Sequence, residues 1–540
     1  MYGAIIDIAR PVEIETWLRG ERNMTNPTTR RGWVKSTAGL AALMSTAGAR
    51  PIAAATAAEP SPDVYTRIGV KPFINCTATI TRNGGSRLLP EVIEAVEHAS
   101  HYHVRLASLI EAASQRISDL LDVPWAVVCS GAAAGLAHAT SACIAGANPE
   151  WRQSLPNLKG MRDEVIMPKW SRNQYDHSIR MVGARIVEVE TVAEARAAFS
   201  PHTAMVALLG DRFGNDRPNL RDLVPLAKER NIPVLVDAAP DFPIVPNPYL
   251  KDGADLVVYS GGKILRGPQS SGILLGREDL VRVAGMNAAP NGGFGRPMKV
   301  AKEELVALVT ALEIWVNERD IQQEYDEWEG WYDHISREVQ QVDGVETEIL
   351  GPTRGGPFPT LRVSWDTGKI GLRSSDLHHK LLASDPAIMT WDYGDRNYFV
   401  IRPVALKPDE YTVIAKTVRS ILAAAPKGGP RPSLAKAAAD ISGQWDVEIE
   451  FLRGKGKHRL FLEAAGNKLE GTHIGTRTTG DLTGTIDGGN VQLSSMLPME
   501  GSRLRYGFSG VVEGDEMRGD LDLGEYPPAR WIARRRGARA

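Results

Sequence analysis

Asp255-Leu256-Val257-Val258-Tyr259-Ser260-Gly261-Gly262-Lys263 runs from an apolar strand into a glycine-rich turn that ends on a lysine. It continues through Gly267-Pro268-Gln269-Ser270-Ser271-Gly272 into another apolar run. A lysine held there has its amine among strand ends, where dry surroundings lower its pKa and make the neutral, nucleophilic amine accessible. Alone, Ser-Gly-Gly-Lys is more often a surface turn. Asp237 changes that reading, because it closes the run Ile232-Pro233-Val234-Leu235-Val236 one strand earlier. An acid at the end of a buried strand is costly unless it meets a cation or a protonated nitrogen.

Working outward, short apolar runs alternate with amphipathic helical stretches from Val64 to about Ala424. That alternation predicts a largely parallel sheet. Strands are expected at Ala126–Cys129, Glu164–Met167, Arg185–Val189, Ala204–Leu208, Pro233–Val236, Leu256–Tyr259 and Gly272–Leu275, with helices such as Pro90–Leu109 and Leu220–Arg230 between them. Doubly wound sheets bind ligands at strand ends. The first such end, Cys129-Ser130-Gly131-Ala132-Ala133-Ala134-Gly135, opens a small-residue helix. Its free N–H groups suit an anion, and Ser130 adds a hydroxyl. The turn lacks the Lys-Ser/Thr ending of a P-loop and the G-x-G-x-x-G of a dinucleotide fold. Asp237 and Lys263 on successive strands, with an anion turn upstream, form a specific constellation, and the sharper reading of Asp237 is a carboxylate holding a cofactor's pyridine nitrogen protonated. The plainer reading of Asp237 is a helix cap or salt bridge.

Composition narrows the class. The 540 residues carry 63 Lys and Arg against 65 Asp and Glu, so a net charge of −2 offers no field for a nucleic acid. Cys76, Cys129 and Cys143 are too few for a disulfide framework and fall in apolar elements, where they read as small hydrophobes. No apolar run reaches the ~18–20 residues of a membrane span. Thr28-Thr29-Arg30-Arg31-Gly32-Trp33-Val34-Lys35, a short apolar stretch to Ala49 and a small-residue site near Ala57 or Ala58 form a secretory signal. The paired arginines resemble the twin-arginine class, implying a periplasmic address. Met24 is the natural start of that signal, leaving residues 1–23 as an over-extension.

The chain from Asp63 to Ala424 resembles fold-type I pyridoxal-phosphate enzymes, within them the selenocysteine-synthase-like branch that includes D-glucosaminate-6-phosphate ammonia-lyase. The match rests on Ile74-Asn75-Cys76-Thr77-Ala78-Thr79 with Gly84-Gly85-Ser86, the Ser130-Gly131-Ala132-Ala133 turn, Asn173-Gln174-Tyr175-Asp176, Val236-Asp237-Ala238-Ala239, Tyr259 through Lys263 and Gly267 through Gly272. Gly295-Arg296-Pro297-Met298-Lys299-Val300 with Lys302-Glu303-Glu304 adds to it.

The resemblance implies a large domain of mostly parallel sheet with an N-terminal arm (59–310) and a small α+β domain (311–424). It implies pyridoxal 5′-phosphate as cofactor, a Schiff base on Lys263, Asp237 on the pyridinium nitrogen, and Ser130, Gly131, Ala132, Ala133 and Ser260 around the phosphate. Arg296 would reach a neighbouring subunit's phosphate, since such sites form at dimer interfaces; a homodimer or a higher multiple of dimers follows. Lys263, once released by substrate, becomes the general base at Cα. Arg402, in Tyr398-Phe399-Val400-Ile401-Arg402-Pro403, sits where the fold keeps an arginine for a substrate carboxylate. A plain structural arginine is an equal reading. Asn75 and Arg87 belong to the arm that lines the entrance. One departure stands out: the histidine usual over the cofactor ring is replaced at Ser171, with Trp170 as the alternative stacking group. His177 reads as a helix-surface residue. The groups His98, His101, His103 and His378-His379 lack the partners of a metal site.

After a Pro/Gly-rich linker (425–440), strands recur at short intervals from 441 to 536, divided by turns such as Ala465-Gly466-Asn467 and Asp487-Gly488-Gly489. They predict a small antiparallel barrel or sandwich, an add-on for stability or for an unknown ligand. The expected function is ammonia elimination from an amino acid or amino sugar acid. Aldol cleavage, racemisation, transamination and selenium transfer remain alternatives within the class. A catalytically idle binding protein of the same fold is the rival outside it, and a nucleotide-binding protein built on Ser260 to Lys263 is a weaker third.

Overall fold

The computed structural model describes residues 64–537 apart from 213, 215–216, 354–355 and 430–432. The expected export segment, 1–58, lies outside the described residues. The chain enters through a short strand, β1 (Phe73–Asn75), and then builds a seven-stranded sheet from β2 (Trp125–Cys129), β3 (Glu164–Pro168), β4 (Arg185–Val189), β5 (Thr203–Leu209), β6 (Val234–Asp237), β7 (Leu256–Ser260) and β8 (Gly272–Gly276). The order is β2-β8-β7-β6-β5-β3-β4. Only β8 runs against its neighbours; the other pairings are parallel. The central strands are buried on both faces, as their unbroken apolar runs require, and separate apolar cores fill the two sides.

The expected helix Pro90–Leu109 is instead two helices, Pro90–Ser100 and Leu106–Leu121. The first stops where the Ser100 hydroxyl turns back onto the Glu97 carbonyl and the exposed His101–Arg105 segment takes over. Side chain-to-backbone bonds of this kind compete with helix continuation.

A smaller unit carries β9 (Val345–Leu350), β10 (Thr360–Trp365), β11 (Ala387–Met389) and β12 (Tyr398–Ile401). Strands β12-β10-β9 form an antiparallel sheet, packed under the helices Ile321–Val339 and Glu410–Ala423. The entering strand β1 pairs in parallel with β11, which ties the N-terminal arm to this unit. A closed barrel follows: β13 (Gly443–Glu450), β14 (Lys455–Ala465), β15 (Lys468–Ile474), β16 (Thr479–Asp487), β17 (Asn490–Met499), β18 (Ser502–Glu513), β19 (Glu516–Asp522) and β20 (Ala529–Arg535). Of the two expected forms the barrel is the one built. β20 pairs back with β13, so no strand edge stays open, and Trp445, Phe508 and Trp531 fill the interior.

Candidate active site

Asp237 ends β6 and Lys263 follows β7 by a turn, so the two side chains stand at neighbouring strand ends, as parallel pairing of β6 and β7 requires. Burial pulls the Lys263 amine below its ordinary pKa, and the Asp237 charge opposes that only in part. Burial likewise raises the Asp237 carboxyl, against a bond from the Ala239 N–H (3.1 Å) and the attraction of Lys263. No described residue donates to or accepts from the Lys263 amine. The pair therefore sits in a dry site where neither charge is fully compensated.

The lysine turn is closed by glycines whose space is already taken. A β-carbon at Gly261 would collide with the Ser271 hydroxyl, and one at Gly262 with the Gln269 backbone. The N-terminal arm lies across the same turn. Ser86 N–H donates to the Gly262 carbonyl (3.1 Å), Gln269 Nε2 to the Thr81 carbonyl (3.0 Å) and Arg266 Nε to the Arg87 carbonyl (3.2 Å). Gly84-Gly85-Ser86 thus holds the turn from above.

Ser130 and Gly131 open the helix Gly131–Ala145, with Gly131 at φ +79°. The Ser130 hydroxyl caps none of the first N–H groups, which leaves them for an anion. Gly272 of β8 presses against this turn, and a β-carbon there would meet Gly131 C at 2.6 Å and Ala132 N at 2.7 Å. Ser260, at the end of β7, is buried beside it.

A narrow cleft runs from Asp237 to a wall made by Ser171, Asn173 and Asp176, with Leu136 and Leu209 on its sides. Lys263 and the Ser130 turn do not border that space; Asp237 joins the two regions. Ser171, at the position where the resemblance expects a stacking histidine, accepts from the Leu209 N–H (2.6 Å). Trp170 is pinned elsewhere: its ring packs in the sheet core and its indole N–H donates to the Pro218 carbonyl (2.9 Å). Asp176 was not singled out as a site residue, yet it is buried, and its charge helps raise Asp237.

Among the remaining candidates, Asn75 spends its side chain on the arm itself. Its Oδ1 accepts from the Thr77 N–H and hydroxyl, and its Nδ2 donates to the Ala78 carbonyl. Arg402 is half-buried, its backbone N–H donates to the Cys76 carbonyl (3.1 Å), and its side chain lies close to Tyr393. Arg87 and Arg296 are exposed, and His177 lies on the outside of a short helix. Cys76, Cys129 and Cys143 have thiols pushed up by burial.

The donor set fits pyridoxal phosphate: an unpartnered amine for an aldehyde, a buried carboxylate for a ring nitrogen, and uncapped N–H groups for a phosphate. No family model matches the chain. It is 29% identical over 372 residues to a 5′-C-glycyluridine monooxygenase-decarboxylase of Streptomyces sp, spanning 66% of this chain and 92% of that one. It is 26% identical over 373 residues to the D-glucosaminate-6-phosphate ammonia lyase of Salmonella typhimurium (strain 14028s / SGSC 2262), spanning 67% of this chain and 98% of the other. The L-seryl-tRNA(Sec) selenium transferase of Proteus mirabilis (strain HI4320) shares 26% over 283 residues, on 46% of this chain and 57% of its own. A solved D-glucosaminate-6-phosphate ammonia-lyase structure superposes with a TM-score of 0.60 and 26% identity, over 68% of this chain and 99% of that chain. The chain has the fold of type I pyridoxal-phosphate enzymes and is a pyridoxal-phosphate-dependent enzyme.

Proposed function

We propose that the chain is an exported enzyme that acts at the Cα of an amino acid or amino sugar acid, most simply as a lyase eliminating ammonia. The observation that carries the reading is the Lys263 amine, buried, unpartnered and depressed in pKa beside Asp237. Similarity to D-glucosaminate-6-phosphate ammonia lyase, which extends over nearly all of that protein, supports elimination. Similarity to a monooxygenase-decarboxylase makes bond cleavage toward a carboxylate the second outcome to test.

Pyridoxal phosphate, when bound, supplies an electron sink for the pair released at a substrate Cα. The protein's own part divides among named groups. Lys263 Nζ would hold the cofactor and would serve as the base for a substrate Cα proton. Burial lowers its pKa, which favours the neutral amine that a base must be. The Asp237 carboxylate keeps a proton on the ring nitrogen. Ser130, Gly131, Ala132, Ala133 and Ser260 bind the phosphate through N–H and hydroxyl donors. Arg402 is the candidate for the substrate carboxylate, and Arg296, exposed on one chain, for the phosphate of a partner subunit in a dimer. The net charge of −2 gives a seryl-tRNA substrate no electrostatic help.

The test uses mature protein purified from the exported fraction, its N-terminus read by sequencing and expected just after Ala57 or Ala58. Wild type is expected to show a visible cofactor band that borohydride fixes covalently, and Lys263→Ala to show none that borohydride can fix. Candidate amino acids and amino sugar acids are then screened for band shifts, with ammonia and carbon dioxide measured as products. Wild-type protein that stays colourless with added pyridoxal phosphate would sink the enzymatic reading.

A further inference from the structure

The relatives that match over nearly their whole length cover only about two thirds of this chain. Among the described residues the barrel meets the α/β body at the turn between β17 and β18, and that turn touches the wall of the cleft beside Asp237. Arg172, with a side chain only 7% exposed, is the hub. Its guanidinium meets three carboxylates: Asp176, on the cleft wall; Glu188, from β4; and Glu500 of the barrel turn, at 3.0 Å. Arg180 Nε lies 3.8 Å from the same Glu500 carboxylate.

Two features of the turn show that this contact is built rather than incidental. Glu500 sits at φ +52°, a left-handed conformation that asparagine or glycine adopts cheaply and that costs a glutamate about 1–2 kcal/mol. Such strain persists where surrounding contacts demand that side chain. Gly501 lacks the positive φ that would explain a glycine by conformation, so space is the reason. A β-carbon at 501 would collide with the Asn173 carbonyl and the Asp176 carboxylate, two groups of the segment that lines the cleft. That segment also carries short-range bonds of its own. Asn173 N–H donates to Asp176 Oδ2 (3.3 Å) and Asn173 Nδ2 to the Ser171 carbonyl (3.0 Å).

We propose that the Met499–Ser502 turn of the barrel is a positioning element of the active site: Glu500, acting through Arg172, and Gly501, seated on Asn173 and Asp176, set the cleft wall next to Asp237. A guanidinium presents its donors in a fixed fork, so a third carboxylate fixes the orientation in which the other arms meet Asp176 and Glu188. The barrel then completes the cofactor site in the same chain instead of serving as a detached appendage. The inference rests on the cofactor reading above.

The test uses the full chain with Glu500→Gln, the conservative Glu500→Asp, Arg172→Gln, the double variant, and Glu525→Gln as control. Glu525 makes a second barrel contact, an exposed 3.8 Å pair with Arg82, that does not touch the cleft. Pyridoxal phosphate affinity is measured by titration, together with the visible circular dichroism per bound cofactor, which reports how the ring is fixed by its walls. Thermal unfolding of the cofactor-free proteins is recorded in parallel. Glu500→Gln is expected to weaken affinity by about tenfold and to cut the dichroism. Glu500→Asp should recover part of both. In the Arg172→Gln background the Glu500 change should add little, because coupled partners are non-additive. Glu525→Gln should match wild type. A Glu500→Gln protein that loses thermal stability but keeps affinity and dichroism would make the contact merely structural and overturn the proposal, as would equal effects from Glu525→Gln. A wild type that attaches no cofactor would instead overturn the function reading itself.

Discussion

Two of the places where the molecule buries ionisable groups side by side differ in kind. At the sheet ends an acid and a base, Asp237 and Lys263, share dry surroundings next to a narrow cleft, each shifted toward its neutral form by burial. Inside the barrel two bases, His458 and His473, lie 2.9 Å apart under Tyr506 and Phe508, and burial pulls both below their usual value, His473 to about 3. Complementary groups beside space for a ligand can divide a proton between acid and base roles. Two neutral imidazoles in a packed barrel can share one hydrogen bond and no more. Burial and perturbed pKa are common to both; charge complementarity and access separate them.

The largest effect should come from removing the acid. Asp237→Ala leaves Lys263 with no carboxylate beside it and a bound ring with no partner for its nitrogen. Turnover is expected to fall by about 10²–10³-fold, the usual loss for a preorganised charge at a reacting centre. Single-turnover kinetics with a substrate found in the screen would check it. Turnover within a few-fold of wild type would erase the distinction drawn between the two buried pairs. A smaller change tests the anion turn alone. Gly272→Ala pushes a methyl group against Gly131 and Ala132, and such overpacking typically costs about 1–3 kcal/mol. Pyridoxal phosphate should bind about tenfold more weakly, a loss of about 1.4 kcal/mol, while pyridoxal without its phosphate binds both proteins alike. Equal losses for the two ligands would mean that the turn distorts the site generally.

What the sequence made legible follows the same division. The Lys263 and Asp237 pairing is local information: an apolar strand, a turn and a charged residue, repeated on adjacent strands. Each expected strand of the sheet appears within a residue or two of its place, because runs buried on both faces leave little freedom. The barrel's alternation was equally plain, and its closure decides between barrel and sandwich. Long-range docking was not legible. Arg172 and Glu500 are 328 positions apart, and nothing in an alternating strand pattern says which turn will touch which wall. Trp170 misled for a related reason: its size suggested stacking, whereas tertiary packing claimed it for the core and left the cleft to Ser171. The break between Ser100 and Leu106 was hidden because helical propensity continues where tertiary direction changes.

The smallest functional effect should come from the barrel pair, and it sharpens the comparison by its silence. His458→Leu with His473→Leu removes both partners of one hydrogen bond, a change that can be nearly neutral when neither group is left unpaired. Cofactor attachment should be unchanged at neutral pH. Stability should respond with a definite sign. Burial disfavours the charged form of both histidines in the fold, with His473 lowered to about 3, so below about pH 6.5 the unfolded chain binds protons more readily than the folded chain. Wild-type stability therefore falls as pH drops from 6.5 toward 3, and is flat in this respect above 6.5. The double variant lacks that contribution, so its stability should decline less than the wild type's on acidification, by about 2 kcal/mol at pH 5 for the His473 share alone. Thermal scans of full-length protein at pH 8 and pH 5 give the comparison directly. Parallel slopes would mean that the pair is already hydrated in the fold. A loss of the visible cofactor band in the variant would mean that the barrel's histidines reach the chemistry after all, and that access does not separate the two sites.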